Sequence, residues 1–270
     1  MTRFATKYGP WALVAGASEG LGAELARQVA ARGLHVALVA RGAEALELLA
    51  TKLRDEFSVS VRTLAIDLAA PDVAASIATR LADVEVGLVI YNAAYAPSGE
   101  FLALAAEEHL RSLAVNAAAP VSLIHHFGRA MAARGRGGVI LLSSLAAFQG
   151  SPYLATYGAT KAFNLALAEA LWFELRPHGV DVLACCPGAT RTPNFLRVSP
   201  GGAPGQLEPE AVVADALAKL GRGPFTVAGV FNRWASFAMR RLLPRRVAVS
   251  IMGREGRRLL GPQGRPKPPE

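Results

Sequence analysis

The sequence predicts a single-domain α/β fold: a doubly wound parallel sheet of about seven strands with helices on both faces. Three observations carry this. Short apolar runs alternate with longer stretches of helical period. The short runs are apolar at nearly every position, as in strands covered on both faces. Hydrophobic residues make up 52% of the chain and charged residues 19%, which supplies a sizeable core and excludes a disordered, solvating chain. There is no internal repeat and no interior linker, so one domain suffices.

The elements follow in order. Residues 11–16 (WALVAG) read as a buried strand, and 21–33 as a helix closed by Gly33. Residues 34–40 form the next strand, 44–57 a helix and 59–67 a third strand. Pro71 opens a helix that ends near Ala82. A fourth strand spans 86–92, a long helix 107–134, a fifth strand 137–144 and a second long helix 153–176. The sixth strand is 180–188. Residues 192–206, rich in Pro and Gly, read as a mobile loop, 209–221 as an amphipathic helix and 224–228 as the seventh strand. The expected organisation is a catalytic domain over 1–230 with a substrate loop at 190–221, a basic amphipathic extension over 231–260, and a disordered tail at 261–270.

Charge is distributed unevenly. Residues 1–221 carry a net −1 and residues 222–270 a net +9. A nucleic-acid-binding body is therefore disfavoured, and the basic excess belongs to the C-terminal segment. Cys185 and Cys186 are adjacent, and the five histidines lack ligand spacing. No disulfide framework and no metal site is expected. The N-terminus has no apolar signal core and no stretch is apolar enough to span a bilayer. The cytoplasm is the expected compartment.

Chemistry concentrates at three places. The first strand runs into AGASEGLG, with Gly16, Gly20 and Gly22 opening a helix. Such a turn lets backbone approach a pyrophosphate at a helix N-terminus, although small residues there also serve helix–strand packing. Tyr157 and Lys161, four apart, share one helix face, where an ammonium would lower the phenol pKa. Ser143 and Ser144 end the fifth strand, on the side of such a sheet where ligands bind. Bland readings cover the rest: Cys185 and Cys186 as buried strand thiols, His125 and His126 as packing or interface residues, Trp172 and Phe173 as core or subunit contacts.

These residues, in this order, resemble the short-chain dehydrogenase/reductase family over residues 10 to about 230. The matching elements are the glycine turn, Asp67 in IDL, YNAA at 91–94, Asn116 in AVN, then Ser144, Tyr157 and Lys161, and finally Pro187, Gly188 and Thr192. Two departures stand out: Ala15-Gly16 replaces Thr-Gly, and Ala94 replaces the last glycine of N-N-A-G. The resemblance implies a Rossmann-like fold and reversible hydride transfer between a nicotinamide and a carbonyl or secondary alcohol. It makes Tyr157 the proton donor, Ser144 the group that holds the substrate oxygen, and Lys161 the residue that holds the ribose and lowers the tyrosine pKa. Asn116 would bend its helix and hold a water of the proton relay. The cofactor would be held by Gly16, Ser18, Gly20, Leu21, Gly22, Arg41, Asp67, Leu68, Asn92, Ala93, Tyr157, Lys161, Pro187, Gly188, Thr190 and Thr192. Relatives that bind the cofactor without turnover supply the alternative, a sensor or scaffold.

Finer expectations follow from that resemblance. Where NAD-specific relatives carry an acidic residue after the second strand, this chain has Ala40 and then Arg41. An arginine suits a 2′-phosphate, so NADP(H) is expected over NAD(H), although Glu19 opposes this. Phe195, Leu196 and Val198 favour a hydrophobic ketone of steroid or 3-oxoacyl type. The two long helices imply a homodimer or homotetramer. In 231–246, Phe231, Trp234, Ala238 and Leu242 form a stripe flanked by arginines. This suits either a lid or interface, with Trp234 and Phe237 as wall residues, or peripheral contact with anionic lipid.

Overall fold

The computed structural model describes residues 2–199 and 201–259. Its frame is one seven-stranded, all-parallel sheet in the order β3-β2-β1-β4-β5-β6-β7. The strands are β1 (Trp11–Ala15), β2 (His35–Ala40), β3 (Val61–Ala65), β4 (Val86–Tyr91), β5 (Gly137–Leu142), β6 (Val180–Cys185) and β7 (Phe225–Thr226). Alternate residues of each strand point to opposite faces, and in β1, β4 and β5 both sets are buried throughout. Ala12, Val14, Leu38 and Ile90 pack under α2 (Gly20–Ala30), α3 (Ala43–Phe57) and α9 (Pro209–Lys219). Leu13, Val39, Val89 and Val139 pack under α4 (Val73–Arg80), α6 (Ala119–Ala133) and α7 (Ala155–Leu175). Two apolar layers on one sheet explain why the strands read as unbroken hydrophobic runs.

Four details add to the element order read from the sequence, the second of them at the position where Asn116 is expected to bend its helix. A short helix, α1 (Arg3–Tyr8), precedes β1, capped by the Thr2 side chain on Ala5 N at 3.1 Å. The first long helix is interrupted: α5 (Ala106–Leu113) passes through a π turn at Ala114–Ala118 before α6. The presumed loop after 190 contains α8 (Pro193–Val198), with Thr192 accepting from Phe195 N at 3.2 Å and Pro193 in the first turn. The C-terminal extension is two helices, α10 (Val230–Arg241) and α11 (Arg245–Leu259). Pro244 separates them, since proline cannot continue a helix interior. The tail expected to be disordered, 261–270, lies outside the described residues.

α10 is turned inside out relative to an ordinary amphipathic helix. Asn232 and Ser236 are buried, whereas Phe231, Trp234 and Phe237 are 57%, 68% and 50% exposed. Asn232 Nδ2 donates to Gly205 O and Ala228 O, which fixes the helix by polar contacts. Trp234 and Phe237, expected as wall residues of a lid or interface, stand largely outward, with Phe237 at the edge of a cavity against β7. α11 instead lies over the segment between β5 and α7. There Arg245 donates to Phe148 O at 2.7 Å and Arg257 to the Tyr153 hydroxyl at 2.9 Å.

The strand order reverses between β1 and β4. Loops leaving these two strands diverge to opposite faces, which opens a crevice at their carboxyl ends, the usual ligand site of such sheets. No described helix is long and apolar enough to cross a membrane.

Candidate active site

The crevice at the switch point is a cleft of about 460 Å³. Of the expected cofactor residues, Gly16, Ser18, Gly20, Leu21, Arg41, Asp67, Leu68, Asn92, Ala93 and Thr192 line it. Its floor is shaped by two glycines. Gly16 has φ +81°, and a Cβ there would lie 2.5 Å from Ala93 N. A Cβ on Gly22 would lie 1.8 Å from Gly16 O, so the first turn of α2 packs against the strand end with no room for a methyl. Asn92 Nδ2 donates to the same Gly16 carbonyl at 2.7 Å, tying β4 to the glycine turn. No side chain caps the N-terminus of α2, so its first-turn N–H groups are free for an anion. These residues fit a dinucleotide: a tight cradle, uncapped amides and a cleft of the right place and size.

Gly22, Tyr157, Lys161, Pro187, Gly188 and Thr190 are not among the cleft walls. Gly22 acts through packing. Pro187 O accepts from Leu145 N at 3.0 Å, just beyond Ser144. Gly188 packs against the Asn232 amide of α10, and Thr190 Oγ1 donates to Gly188 O. The structure also brings in residues the sequence reading missed: Arg111, Tyr95 and Asn194 line the cleft. Arg111 Nη2 donates to Asp67 Oδ2 at 2.8 Å, while Ala69 N donates to Asp67 Oδ1 at 3.0 Å. Those bonds, the backbone amide foremost, hold the Asp67 carboxyl below its ordinary range. On the opposite wall Arg197 of α8 pairs with Glu19 at 3.3 Å, which offsets the acidic residue in the glycine turn. A larger cavity of about 620 Å³ lies at the β7 edge against α10. Neither cavity is lined by Ser144, Tyr157 or Lys161, but only the smaller cleft is built on the glycine turn, which favours it as the dinucleotide site.

Ser144, Tyr157 and Lys161 come together where β5 ends against α7. Ser144 closes β5 in extended geometry and caps the following turn, accepting from Ala146 N at 3.1 Å. It is the polar side chain whose influence on the Tyr157 phenol opposes burial. Lys161 is 3% exposed, donates to Leu142 O at 2.6 Å, and has its Nζ 5.5 Å from the Tyr157 ring centroid. Burial pulls the Lys161 pKa down to about 8, against an opposing pull from Cys186 and Cys185. Burial also pushes the Tyr157 phenol up, with Ser144 opposing. The expected lowering of the tyrosine by the lysine is therefore not what the protein alone provides. The ammonium is drawn to a backbone carbonyl and lies over the ring. Ser143, weighed beside Ser144, is structural: its Oγ donates to Lys161 O at 2.7 Å and binds α7 to β5.

Asn116 sits in the π turn and is fully buried. Its Oδ1 accepts from Tyr95 N at 2.7 Å; its Nδ2 donates to Tyr95 O, Ser112 Oγ and Thr160 Oγ1 at 2.9–3.2 Å. The helix is widened at Asn116, and its side chain is engaged by these partners, which leaves its main-chain carbonyl as the group placed to meet a water. The side chain joins the cleft wall at Tyr95 to α7 at Thr160. Two carbonyls of the widened turn find side-chain donors from outside: Tyr91 on Val115 O, and Asn164 on Asn116 O at 3.0 Å. Cys185 and Cys186 are completely buried, and burial raises both thiols, Cys186 to about 12; they are inert strand residues.

Comparisons with known proteins agree with this geometry. The family described as short chain dehydrogenase matches residues 10–201. A 7beta-hydroxysteroid dehydrogenase of Collinsella aerofaciens is 34% identical over 233 residues, 84% of this chain and 89% of that enzyme. A structure solved for a study of 7beta-hydroxysteroid dehydrogenase stereoselectivity superposes with a TM-score of 0.89 at 31% identity, covering 93% of this chain and 100% of its own. A short-chain dehydrogenase from Sphingobium yanoikuyae in complex with NADPH gives a TM-score of 0.75 at 35% identity, covering 87% and 94%.

Proposed function

The chain belongs to the short-chain dehydrogenase family and is an oxidoreductase acting on CH–OH groups; from that premise we propose that it uses NADP(H) to interconvert a hydrophobic ketone, of steroid or 3-oxoacyl type, with its secondary alcohol. One observation carries the reading: a buried Lys161 has its Nζ 5.5 Å from the Tyr157 ring centroid, with Ser144 as the neighbouring hydroxyl that acts on the phenol. A proton donor, an oxygen-holding hydroxyl and a positive charge are thus grouped at the end of β5.

The bound nicotinamide supplies or accepts the hydride. The chain's own groups do the rest. In reduction the Tyr157 O–H protonates the carbonyl oxygen as it gains charge, and Ser144 Oγ hydrogen-bonds that same oxygen. Lys161 stabilises the phenolate left behind when it carries its proton. Gly16, Gly20 and the first turn of α2 take the pyrophosphate, and Asp67 faces the adenine end. Arg41, exposed at the cleft rim beyond β2, is placed for a 2′-phosphate, with Arg197 offsetting Glu19. The NADPH complex of the Sphingobium relative and the steroid enzyme among the relatives support the two choices.

The assembly we infer is a homodimer or homotetramer through α6 and α7, where Val121, Phe163 and Phe173 are exposed, in the cytoplasm. The catalytic unit is taken as 1–230. For the 231–246 segment, the outward aromatics of α10 favour a surface contact over a pocket wall, and its arginines favour an anionic bilayer as the partner. The test of the main reading is turnover by the purified protein on steroid, 3-oxoacyl, aryl and sugar ketones with NADPH and NADH. Turnover of the apolar ketones with NADPH is expected. NADPH binding without turnover of any would make the protein a sensor or scaffold instead.

A further inference from the structure

We propose that Asn164 is a positioning residue of the proton relay: its side-chain carbonyl anchors the water that exchanges protons with Lys161, while its amide fixes the Asn116 carbonyl. The proposal rests on the oxidoreductase reading and adds a residue to it. Tyr157, Lys161 and Asn164 follow one another along α7 at spacings of four and three, so they share one stripe of that helix. Lys161 is 3%, Asn164 1% and Asn116 0% exposed. The stripe is sealed from bulk water at its inner end.

Asn164 Nδ2 donates to Asn116 O at 3.0 Å. Its Oδ1 is buried and has no hydrogen-bond partner among the described residues. Reversing the amide does not remove the difficulty. It would set Oδ1 against the Asn116 carbonyl, two acceptors face to face, and leave Nδ2 unpaired. The acceptor is therefore a fixed feature of the site. Buried carbonyls of this kind are nearly always bonded to protein or to an ordered water.

The complementary donor stands on the same stripe. An ammonium carries three N–H groups, and Leu142 O takes one of those on Lys161. A water that accepts from Lys161 and donates to Asn164 Oδ1 and to the second lone pair of Asn116 O would have three partners, the number typical of buried waters. The Asn116 side chain offers no alternative anchor, because Tyr95, Ser112 and Thr160 occupy it. Only proton transfers are involved. When Lys161 gives up an N–H proton, the water replaces it from one of its O–H bonds and takes a proton from solvent in turn. The titratable groups facing Lys161 are Tyr157 on its own helix and Cys185 and Cys186 at the end of β6, both thiols kept protonated by burial.

Two variants test this. Asn164→Leu removes donor and acceptor at similar volume; Asn164→Asp keeps the acceptor and makes it anionic. Ketone reduction at saturating NADPH is followed across pH in H₂O and D₂O. The Lys161 titration is followed separately in cofactor-free protein by ¹³Cε NMR. Asn164→Leu should lower kcat about 10-fold, less than the ~10²–10⁴ expected for loss of a general acid. KM and NADPH affinity should stay near wild type, and the solvent isotope effect should change. Asn164→Asp should raise the Lys161 titration by about one pH unit, the scale for an adjacent opposite charge, and move the basic limb of the rate profile with it. If Asn164→Leu does not fold, the Asn164→Asp titration decides alone. A Lys161 titration unmoved by the carboxylate, or a folded Asn164→Leu with wild-type kcat and isotope effect, overturns the proposal. A wild type inert towards every ketone would instead overturn the reaction itself, so the two failures are distinguishable.

Discussion

Lys161 Nζ lies 5.5 Å from the centre of the Tyr157 ring and donates to Leu142 O at 2.6 Å. The pair is thus arranged by burial first and by charge second. Burial lowers the lysine to about 8 and raises the tyrosine above its ordinary value. In ketone reduction the phenol must carry its proton and the lysine its charge. The first condition holds across the working range; the second fails as pH rises through about 8. The log of kcat/KM for reduction should therefore fall above about pH 8 in initial-rate measurements, and Lys161→Arg, which stays charged, should remove that limb if it still turns over.

The same shift has a stability consequence of definite sign. A lysine whose native pKa lies below its ordinary 10.5 binds protons more weakly in the folded state. Its contribution therefore rises with pH between about 8 and 10.5 and is least favourable below 8. Lys161→Met should raise the melting temperature at pH 7 and flatten its increase towards pH 10. A wild type and variant whose melting temperatures run parallel over that range would show that Lys161 is not desolvated.

Tyr157→Phe removes the proton donor and leaves a ring of nearly the same shape on α7. Turnover should fall by ~10² or more, the scale of general acid catalysis, with NADPH binding by fluorescence nearly unchanged. Near wild-type turnover would take Tyr157 out of the mechanism.

Much of this was readable from the sequence, for physical reasons. β1, β2, β4, β5 and β6 are covered on both faces, so burial imposes apolar residues at nearly every position. Tyr157 and Lys161 lie on a single helix, so spacing pairs them, whereas Ser144 is singled out from Ser143 by the family resemblance. What escaped depends on chain geometry or on distant partners. Pro193 looks like a loop residue until Thr192 is seen capping the turn it opens. Arg111 reaches the cleft at Asp67 and Arg197 pairs with Glu19 of the cleft wall, each from an element remote in sequence, and no local pattern announces either. The direction of the Tyr157 shift was misjudged because spacing reveals the neighbouring charge but not the depth of burial.

The Arg197–Glu19 pair gives a cofactor prediction. Arg41→Ala should lower the NADPH-over-NADH ratio of kcat/KM by roughly 10- to 100-fold, the value of a charged hydrogen bond of about 1.5–3 kcal/mol. Arg197→Ala leaves the Glu19 carboxylate unpaired beside the glycine turn and should weaken NADPH more than NADH. Both salt-bridge partners are exposed, so this second effect should be smaller and should shrink with added salt. A wild type that prefers NADH would overturn the assignment of Arg41.

α10 gives the last prediction. A helix held by buried Asn232 and Ser236 while Phe231, Trp234 and Phe237 face outward leaves its apolar side unpartnered in the monomer. Arg240, stacked 4.3 Å over Phe148, and Arg241 lie on the same helix, and Arg245 and Arg246 open the next. A second copy meeting this face about a two-fold axis would set one arginine cluster against another, since two-fold contacts pair each patch with itself. An anionic bilayer meets both demands, taking the rings at its interface and the cations at its headgroups. The protein should co-sediment with anionic vesicles and not with neutral ones, and moderate salt should release it. Replacing Phe231, Trp234 and Phe237 together by Ser should abolish sedimentation while leaving turnover on a soluble ketone intact, because these rings touch neither the cleft nor Tyr157. If the triple variant instead becomes monomeric and the wild type ignores both kinds of vesicle, the outward face is a subunit contact and the bilayer reading is lost.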